Sequence, residues 1–307
     1  MIAFTKAEGA QNDFVVIEDL DRRIAREARV ALARVMCHRR RGVGGDGVIF
    51  IERSQIAGHD FTMAFHNPDG SDGSMCGNGG RAAALYAHAR GIAGADMRFD
   101  VLERAYRAEV RDEGIRLHFP APTVIYTDMR LEAYVHGAAQ VFPARFVHNG
   151  APHVVLLLAD LPSALAAPID AVDLNAIGRA LRQHPMFRPD GANVNIVDTS
   201  GDELRIRTFE KGVEGETEAC GTGTLAAGMM VHAATGASAP LALRTRGGDL
   251  LRVHFDADAQ HPLHDPAHYA RALALEGPAR LVFEGQWDEV RGELAACPES
   301  AAGGGAA

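Results

Sequence analysis

The stretches CGNGGRAAALYAHARG (residues 76–91) and CGTGTLAAGMMVHAATG (residues 220–236) decide the fold of this protein. With the two cysteines aligned, at an offset of 144, seven positions are identical, from Cys76 and Cys220 to Ala89 and Ala233. A second match pairs NDFVVI at 12–17 with APHVVL at 151–156, in the same order along the chain. Repeated matches in one order indicate two copies of one domain, produced by internal duplication.

Each stretch predicts a helix that begins after a Cys-Gly-x-Gly turn and ends at Gly91 or Gly236. Alanine and other apolar residues cover every face of these helices, and a helix that is apolar all round is buried. Apolar runs of strand length surround both helices. We therefore expect an α+β fold of two pseudo-symmetric domains, each a curled mixed or antiparallel sheet around a central buried helix.

The repeat also predicts where the domains begin and end. The first half is expected at residues 1–120 together with about 277–287, because PAP at 120–122 ends a strand and EGP at 276–278 repeats that pattern. The second half is expected at 121–276. Residues 288–307, which end in PESAAGGGAA, predict a flexible tail. Within the first half, residues 21–38 predict an amphipathic helix with Arg29 on its exposed side.

Composition and charge exclude several classes of protein. The 307 residues carry 31 basic and 40 acidic side chains, a net charge of −9, which argues against a surface for nucleic acid or an anionic membrane. Four cysteines are too few for a disulfide framework and lack the clustered spacing of a zinc site. Because no export signal or membrane-length apolar run is apparent, we expect a cytoplasmic protein with reduced thiols.

The turn before each helix predicts the chemistry. A cysteine there lies beside unpaired N–H groups at the positive end of a helix, which lowers the pKa of its thiol, and bare glycine amides can bind a carboxylate. If the two turns face each other, Cys76 and Cys220 lie on opposite sides of one bound molecule. Such a pair suits moving a proton across the α-carbon of an amino acid, one thiolate as base and one thiol as acid, without metal or organic cofactor.

One further motif has the wrong context. GVGGDG at 42–47 fits the glycine pattern of a dinucleotide site, but that motif follows a strand and opens a helix. Here it follows a predicted helix and opens the strand VIFIE. We interpret it as a turn.

Several motifs resemble those of the diaminopimelate epimerase family. They are FHNPDGSDGSMCGNGGRA, FEKGVEGETEACGTGT, GAQNDFVV, GAPHVV, GANVNIV and GPARLVFEG, which together span about residues 1–287. The resemblance implies epimerisation of LL-2,6-diaminopimelate to meso-diaminopimelate, a step towards lysine and cell-wall peptide, by two thiols and no cofactor. It also implies a homodimer with a small amino-acid substrate as its ligand.

Carried over position by position, the resemblance implies that Cys76 and Cys220 are the catalytic bases, the first as proton donor and the second as acceptor in the LL-to-meso direction. It implies that His153 and Glu210 tune the two thiols. It also implies a set of substrate-binding residues, which are Asn12, Asn67, Gly77, Asn78, Asn193, Glu210, Lys211, Gly221 and Thr222.

Three residues depart from the commonest family pattern, all at the end of the site that holds the far end of the substrate. Lys211 replaces an arginine, Ala151 an asparagine and Gly47 a glutamine. The main alternative is therefore a racemase of the same fold that acts on another amino acid. Two alternatives from other classes are a dithiol oxidoreductase that uses Cys76 and Cys220, and a binding protein without catalysis.

Overall fold

A computed structural model describes residues 1–257, 270–288 and 293–294. The helices are α1 (Arg26–Met36), α2 (Gly77–Ala89), α3 (Leu174–Arg182) and α4 (Gly221–Thr235). The strands are β1 (Ile2–Gly9), β2 (Asn12–Glu18), β3 (Gly47–Glu52), β4 (Phe61–His66), β5 (Asp96–Val101), β6 (Arg104–Arg111), β7 (Gly114–His118), β8 (Val124–Val135), β9 (Ala138–His148), β10 (Pro152–Leu157), β11 (Asn193–Asp198), β12 (Leu204–Glu210), β13 (Gly215–Thr217), β14 (Leu241–Arg244), β15 (Leu250–Ala257), β16 (Ala270–Gly277), β17 (Arg280–Asp288) and β18 (Glu293–Leu294).

The described strands form one continuous mixed sheet whose pairing repeats. In the first part, β2 and β3 are parallel, β3 and β4 antiparallel, and β4 and β5 parallel. The same sequence of pairings recurs in β10, β11, β12 and β14. The antiparallel pair of β7 and β16 joins the two parts, and β17 returns to pair with β1. The predicted mixed α+β architecture is confirmed.

Each of the two glycine-started helices is packed inside its own apolar cluster. α2 contributes Ala82, Ala83 and Ala84 to one cluster, and α4 contributes Leu225 and Met229 to the other, all of them without exposed surface. The glycines on these helices allow the strands to come close. A β-carbon added to Gly228 would lie 2.9 Å from the Val253 side chain, a distance that real β-carbons do not adopt.

The first predicted helix is shorter than expected, and one of its arginines is buried. The Asp19 carboxylate accepts the backbone N–H groups of Arg23 and Ile24, at 2.7 and 3.1 Å, which holds the chain in a turn before α1 begins. The prediction that Arg29 is exposed is wrong. Its guanidinium bonds the buried carboxylates of Asp19, at 2.8 Å, and Glu52. Arg22 also pairs with Glu52, at 2.7 Å, so two cations balance the two carboxylates.

The predicted tail falls mostly outside the described residues, which omit 289–292 and 295–307. Strand β17 continues to Asp288, the first residue of the predicted tail. The short strand β18 pairs with its end, Leu294 opposite Trp287.

Candidate active site

The N-termini of α2 and α4 meet, although they are encoded 144 residues apart. Cys76 and Cys220 cap these helices in extended conformation, and Gly77 and Gly221 are the first helical residues. A β-carbon placed on Gly221 would lie 3.7 Å from the Cα atom of Gly77. Each half of the chain thus supplies one thiol and one set of helix-terminal N–H groups to the same place.

The resting thiols differ from the expectation of a lowered pKa. Burial raises the pKa of Cys76, against the effect of the Gly79 and Asn78 N–H groups, which lower it. Burial also raises the pKa of Cys220 well above its ordinary value, and the neighbouring Glu210 carboxylate raises it further. The N–H groups at the helix ends therefore favour the thiolate. The loss of hydration on burial disfavours it more strongly, so the pKa of each thiol is raised.

A chain of hydrogen bonds connects His153 to Cys220 through Thr222. The Asn195 amide donates to the carbonyl of Val154 at 2.8 Å and lies 3.3 Å from His153 Nδ1, which therefore accepts. At Nε2 the nearer partner is Thr222 Oγ1, at 2.9 Å, and the Asn193 amide nitrogen lies 3.5 Å away, so we assign the Nε2 proton to the bond with the threonine hydroxyl. The Thr222 hydroxyl is left free to donate to Cys220 Sγ, 3.7 Å away.

The imidazole in this chain is neutral. His153 has no exposed surface, and burial lowers its pKa to about 3. It does not touch Cys220 directly among the contacts of the described residues, so it acts on the thiol through the threonine hydroxyl. An imidazole that donates to a hydroxyl makes that hydroxyl a better donor to a thiolate.

Glu210 lies at the end of β12, beside the Cys220 thiol. Its carboxylate accepts from the Thr217 hydroxyl at 2.6 Å and also hydrogen-bonds the thiol. Burial raises the pKa of Glu210. A carboxylate in this position accepts a hydrogen bond from the thiol, and its negative charge opposes formation of the Cys220 thiolate.

A second network holds the first half of the site. The Asn78 amide donates to Asn12 Oδ1, and Asn12 donates to Asp46 Oδ2 at 3.0 Å. Asp46 belongs to the glycine-rich segment at 42–47, which forms a turn between α1 and β3. Asn78 also lies 3.5 Å from the carbonyl of Ala219, next to Cys220, so it spans the two halves.

The remaining predicted binding residues are Asn67, directly after β4, Asn193, the first residue of β11, and Lys211, directly after β12. Asn67 Nδ2 donates to the Ser71 hydroxyl at 3.0 Å. Asn193 is buried, and its Oδ1 accepts the backbone N–H of Lys211 at 2.8 Å. The Lys211 ammonium is half-exposed and forms no ion pair within the described part of the chain, so it is available to an anion.

The three departures from the common family pattern, at Gly47, Ala151 and Lys211, have different structural consequences. A β-carbon on Gly47 would lie 2.2 Å from the Phe65 ring, so this position cannot hold a glutamine side chain in the present backbone. Ala151 is half-buried in the loop that leads into β10. Lys211 is the departure that exchanges one charged side chain for another.

Sequence reasoning missed four residues that hold the site together. Asn195 fixes the histidine, Thr217 holds Glu210, and Arg81 donates to Asn78 Oδ1 at 2.7 Å. Asn149 donates to the carbonyl of Thr222 at 2.8 Å. For Asn195 a signal existed, because it stands two residues after Asn193 in a strand and so faces the same side.

Comparison with known proteins is consistent with this geometry. A family profile described as "Diaminopimelate epimerase" matches residues 4–120 and 145–263. A diaminopimelate epimerase of Chlorobaculum tepidum is 37% identical over 282 residues, covering 90% of this chain and 98% of that one. One from Hydrogenobaculum sp. is 34% identical over 289 residues, covering 92% and 96%.

Solved structures share the fold at low sequence identity. A probable proline racemase from Agrobacterium radiobacter K84 superposes with a TM-score of 0.65 at 16% identity and covers 96% of this chain and 97% of that one. A PhzC/PhzF protein from Clostridium difficile has a TM-score of 0.60 at 14% identity, covering 94% and 100%. Within the described residues, none of the helices combines the length and the apolar character of a membrane span.

Proposed function

Because the chain belongs to the diaminopimelate epimerase family, we propose that it interconverts LL-2,6-diaminopimelate and meso-diaminopimelate by moving a proton across one α-carbon. The observation that carries this proposal is the meeting of two Cys-Gly-x-Gly helix starts, with Gly77 Cα 3.7 Å from a β-carbon placed on Gly221. Two thiols held there by separate halves of the chain face one substrate from two sides. This places the protein among the isomerases.

In the proposed mechanism one cysteine removes the α-proton and the other delivers a proton to the opposite face. Following the family assignment, Cys220 is the acceptor and Cys76 the donor in the LL-to-meso direction. The C–H electron pair stays on the α-carbon and its carboxylate, where the N–H groups of Gly77, Asn78, Gly221 and Thr222 stabilise the charge. No cofactor is required, because the charge that builds up is stabilised by the helix ends.

His153 and Glu210 give the thiols their roles. The neutral imidazole supports the Cys220 thiolate through the Thr222 hydroxyl. Glu210 instead holds the proton on Cys220 after transfer. Asn12, Asn67 and Asn193 are proposed to contact the substrate around this centre, and the Lys211 ammonium to bind the distal carboxylate as a point charge.

The test is exchange of the α-proton in deuterated water, followed by proton NMR. We expect exchange with LL-diaminopimelate, and loss of turnover in Cys76→Ser and Cys220→Ser. Cys37→Ser is the matched control, because Cys37 is buried beside α1 in a different apolar cluster. A fully active Cys76→Ser or Cys220→Ser protein would contradict the two-base mechanism.

A second candidate is a racemase of the same fold that acts on another amino acid. It is favoured by Lys211, whose ammonium cannot form the two-pronged contact that a guanidinium makes with a carboxylate. A panel of single amino acids in the same exchange assay separates the two. Exchange with one of them and not with diaminopimelate would favour this alternative.

The oxidoreductase alternative is tested by redox dependence. An epimerase needs its thiols only to be reduced, so oxidation should abolish exchange and dithiothreitol should restore it. Turnover that consumes a thiol partner would instead support an oxidoreductase.

We also propose two halves, at residues 1–120 with about 277–287 and at 121–276. Support comes from the apolar clusters. The buried members around α2 lie between Ala7 and Leu117, and those around α4 lie between Ile125 and Leu275, apart from Ala10. Limited proteolysis is expected to cut first near residues 120–122, and an early cut inside β2 or β11 would contradict this division.

We further propose a cytoplasmic homodimer. Val282 and Phe283 on β17 are 56% and 47% exposed, a surface that a second copy would cover. Cys76 and Cys220 are free thiols, which a reducing compartment preserves. Light scattering should report a dimer that Phe283→Asp converts to a monomer, and cell fractionation should place the activity in the cytoplasm.

A further inference from the structure

Arg81, in the second turn of α2, is a buried cation without an anion. Its side chain has no exposed surface. It donates to Asn78 Oδ1 at 2.7 Å and lies 3.4 Å from the carbonyl of Pro278, while Nη1 has no hydrogen-bond partner. No carboxylate within the described ranges comes within 4.0 Å of its nitrogens, and burying an uncompensated charge is costly.

The other buried arginines differ in this respect. Arg29 is paired with Asp19 and Glu52, and Arg207 is paired with Glu216 at 2.6 Å. A buried arginine without a carboxylate partner is therefore stabilised when a nearby group that titrates becomes negatively charged.

Three groups that can carry negative charge act on Arg81 from the elements around it. They are Cys76 on its own helix, Asp249 in the turn between β14 and β15, and Glu8 on β1. Burial lowers the pKa of Arg81 to about 10, so it keeps its charge at neutral pH. The Cys76 thiol is the one of the three that gains and loses its charge during the proposed reaction.

The second half of the site lacks this cation. At the repeat offset of 144, the counterpart of Arg81 is Leu225, which is fully buried. Conversely, the counterpart of the Glu210 carboxylate beside Cys220 is His66. The duplicated halves therefore differ in charge where their thiols meet. The Glu210 carboxylate acts on both thiols and raises the pKa of each, whereas Arg81 lowers the pKa of Cys76.

We propose that Arg81 is a positioning residue that places the negative charge of the resting enzyme on Cys76 and keeps the proton on Cys220. It does so by its own charge and by fixing the side chain of Asn78, whose backbone N–H group hydrogen-bonds Cys76. In the meso-to-LL direction, the Cys76 thiolate takes the α-proton on its side, the C–H electrons remain on the substrate, and the Cys220 thiol gives its proton to the other face. Cys220 is then the thiolate, and proton exchange with solvent restores the resting state.

This inference rests on the proposed two-thiol site, but its test needs no substrate. In a Cys220→Ser background, alkylation of Cys76 by iodoacetamide is followed against pH, with the modified peptide identified by mass spectrometry. Iodoacetamide reacts with the thiolate, so the rate reports its fraction. Arg81→Met is expected to raise the pH midpoint by about one unit or more, and Arg81→Lys to keep most of the original midpoint.

Two comparisons separate this role from a merely structural one. Arg207→Met removes another buried guanidinium and should lower thermal stability without moving the Cys76 midpoint. With Cys220 intact, Arg81→Met should lower kcat more than it changes KM, and Arg81→Lys should recover much of kcat.

An unchanged midpoint in folded Arg81→Met protein would overturn the proposal. If that variant does not fold, Arg81→Gln and Arg81→Lys give the same comparison, because glutamine keeps a donor for Asn78 without the charge. Equal pH midpoints of Cys76 alkylation in Arg81→Gln and Arg81→Lys would also overturn the proposal. A protein that alkylates as expected but does not exchange diaminopimelate would refute the proposed function and leave the role of Arg81 standing.

Discussion

Replacing Thr222 by valine tests the hydrogen-bond chain from His153 to Cys220. Valine keeps the shape of threonine and removes only the hydroxyl. That hydroxyl accepts from His153 Nε2 at 2.9 Å and lies 3.7 Å from Cys220 Sγ as its donor. Thr222→Val therefore removes one acceptor and one donor at the same time.

The expected magnitudes follow from these two contacts. His153 has no exposed surface, so its Nε2–H would be left buried without a good acceptor, at a cost of about 1–3 kcal/mol of unfolding free energy. A hydrogen bond to a charged group contributes about 1.5–3 kcal/mol, so a Cys220 thiolate without its donor should lower kcat roughly 10- to 100-fold. KM should change little, because the loss falls on the reacting thiol.

Thr224→Val is the matched control, in the same helix but more deeply buried than the half-buried Thr222. The Thr224 hydroxyl donates to the carbonyl of Cys220 at 2.9 Å, and that carbonyl already accepts the Thr224 N–H. This variant should keep its activity and lose less than about 1 kcal/mol. Thr222→Ser should recover most of kcat. Stability is measured by urea unfolding and kcat by α-proton exchange. If Thr222→Val and Thr224→Val lost equal amounts of both, the proposed hydrogen-bond chain from His153 to Cys220 would be refuted.

Three further predictions concern pH, packing and substrate binding. The native pKa of His153, about 3, lies below its ordinary value of 6.5, so the unfolded state binds a proton first as pH falls. The free energy of unfolding should therefore decrease from pH 6.5 to about 3, by up to about 1.4 kcal/mol per pH unit, and urea titrations of His153→Gln should show a shallower decline. Gly178→Ala should cost about 1–3 kcal/mol in the same assay, because its β-carbon would lie 2.3 Å from the buried Phe209 ring; a gain in stability would contradict this packing. Lys211→Met should raise KM for diaminopimelate roughly tenfold or more and leave kcat nearly unchanged, and an unaltered KM would exclude Lys211 from the site.

The repeat in the sequence was enough to predict α2, α4 and the strands next to them, because most residues of these segments are apolar and buried. It was not enough for β8 and β9. In β8, exposed residues such as Asp128, Arg130 and Glu132 alternate with buried ones, so no continuous apolar run marks the strand. Arg29 was misjudged for a related reason, since its two carboxylate partners come from other elements.

By itself, the sequence determined which residues we propose to carry the chemistry, because the paired Cys-Gly-x-Gly turns and their helices are local features. Tertiary structure alone decided how those residues act on one another. The link from His153 to Cys220 through Thr222, the position of Glu210, and the unpaired charge of Arg81 all depend on contacts between segments tens of residues or more apart. The pKa of each thiol depends in the same way on burial, and burial is a property of the whole packed chain that no single segment carries.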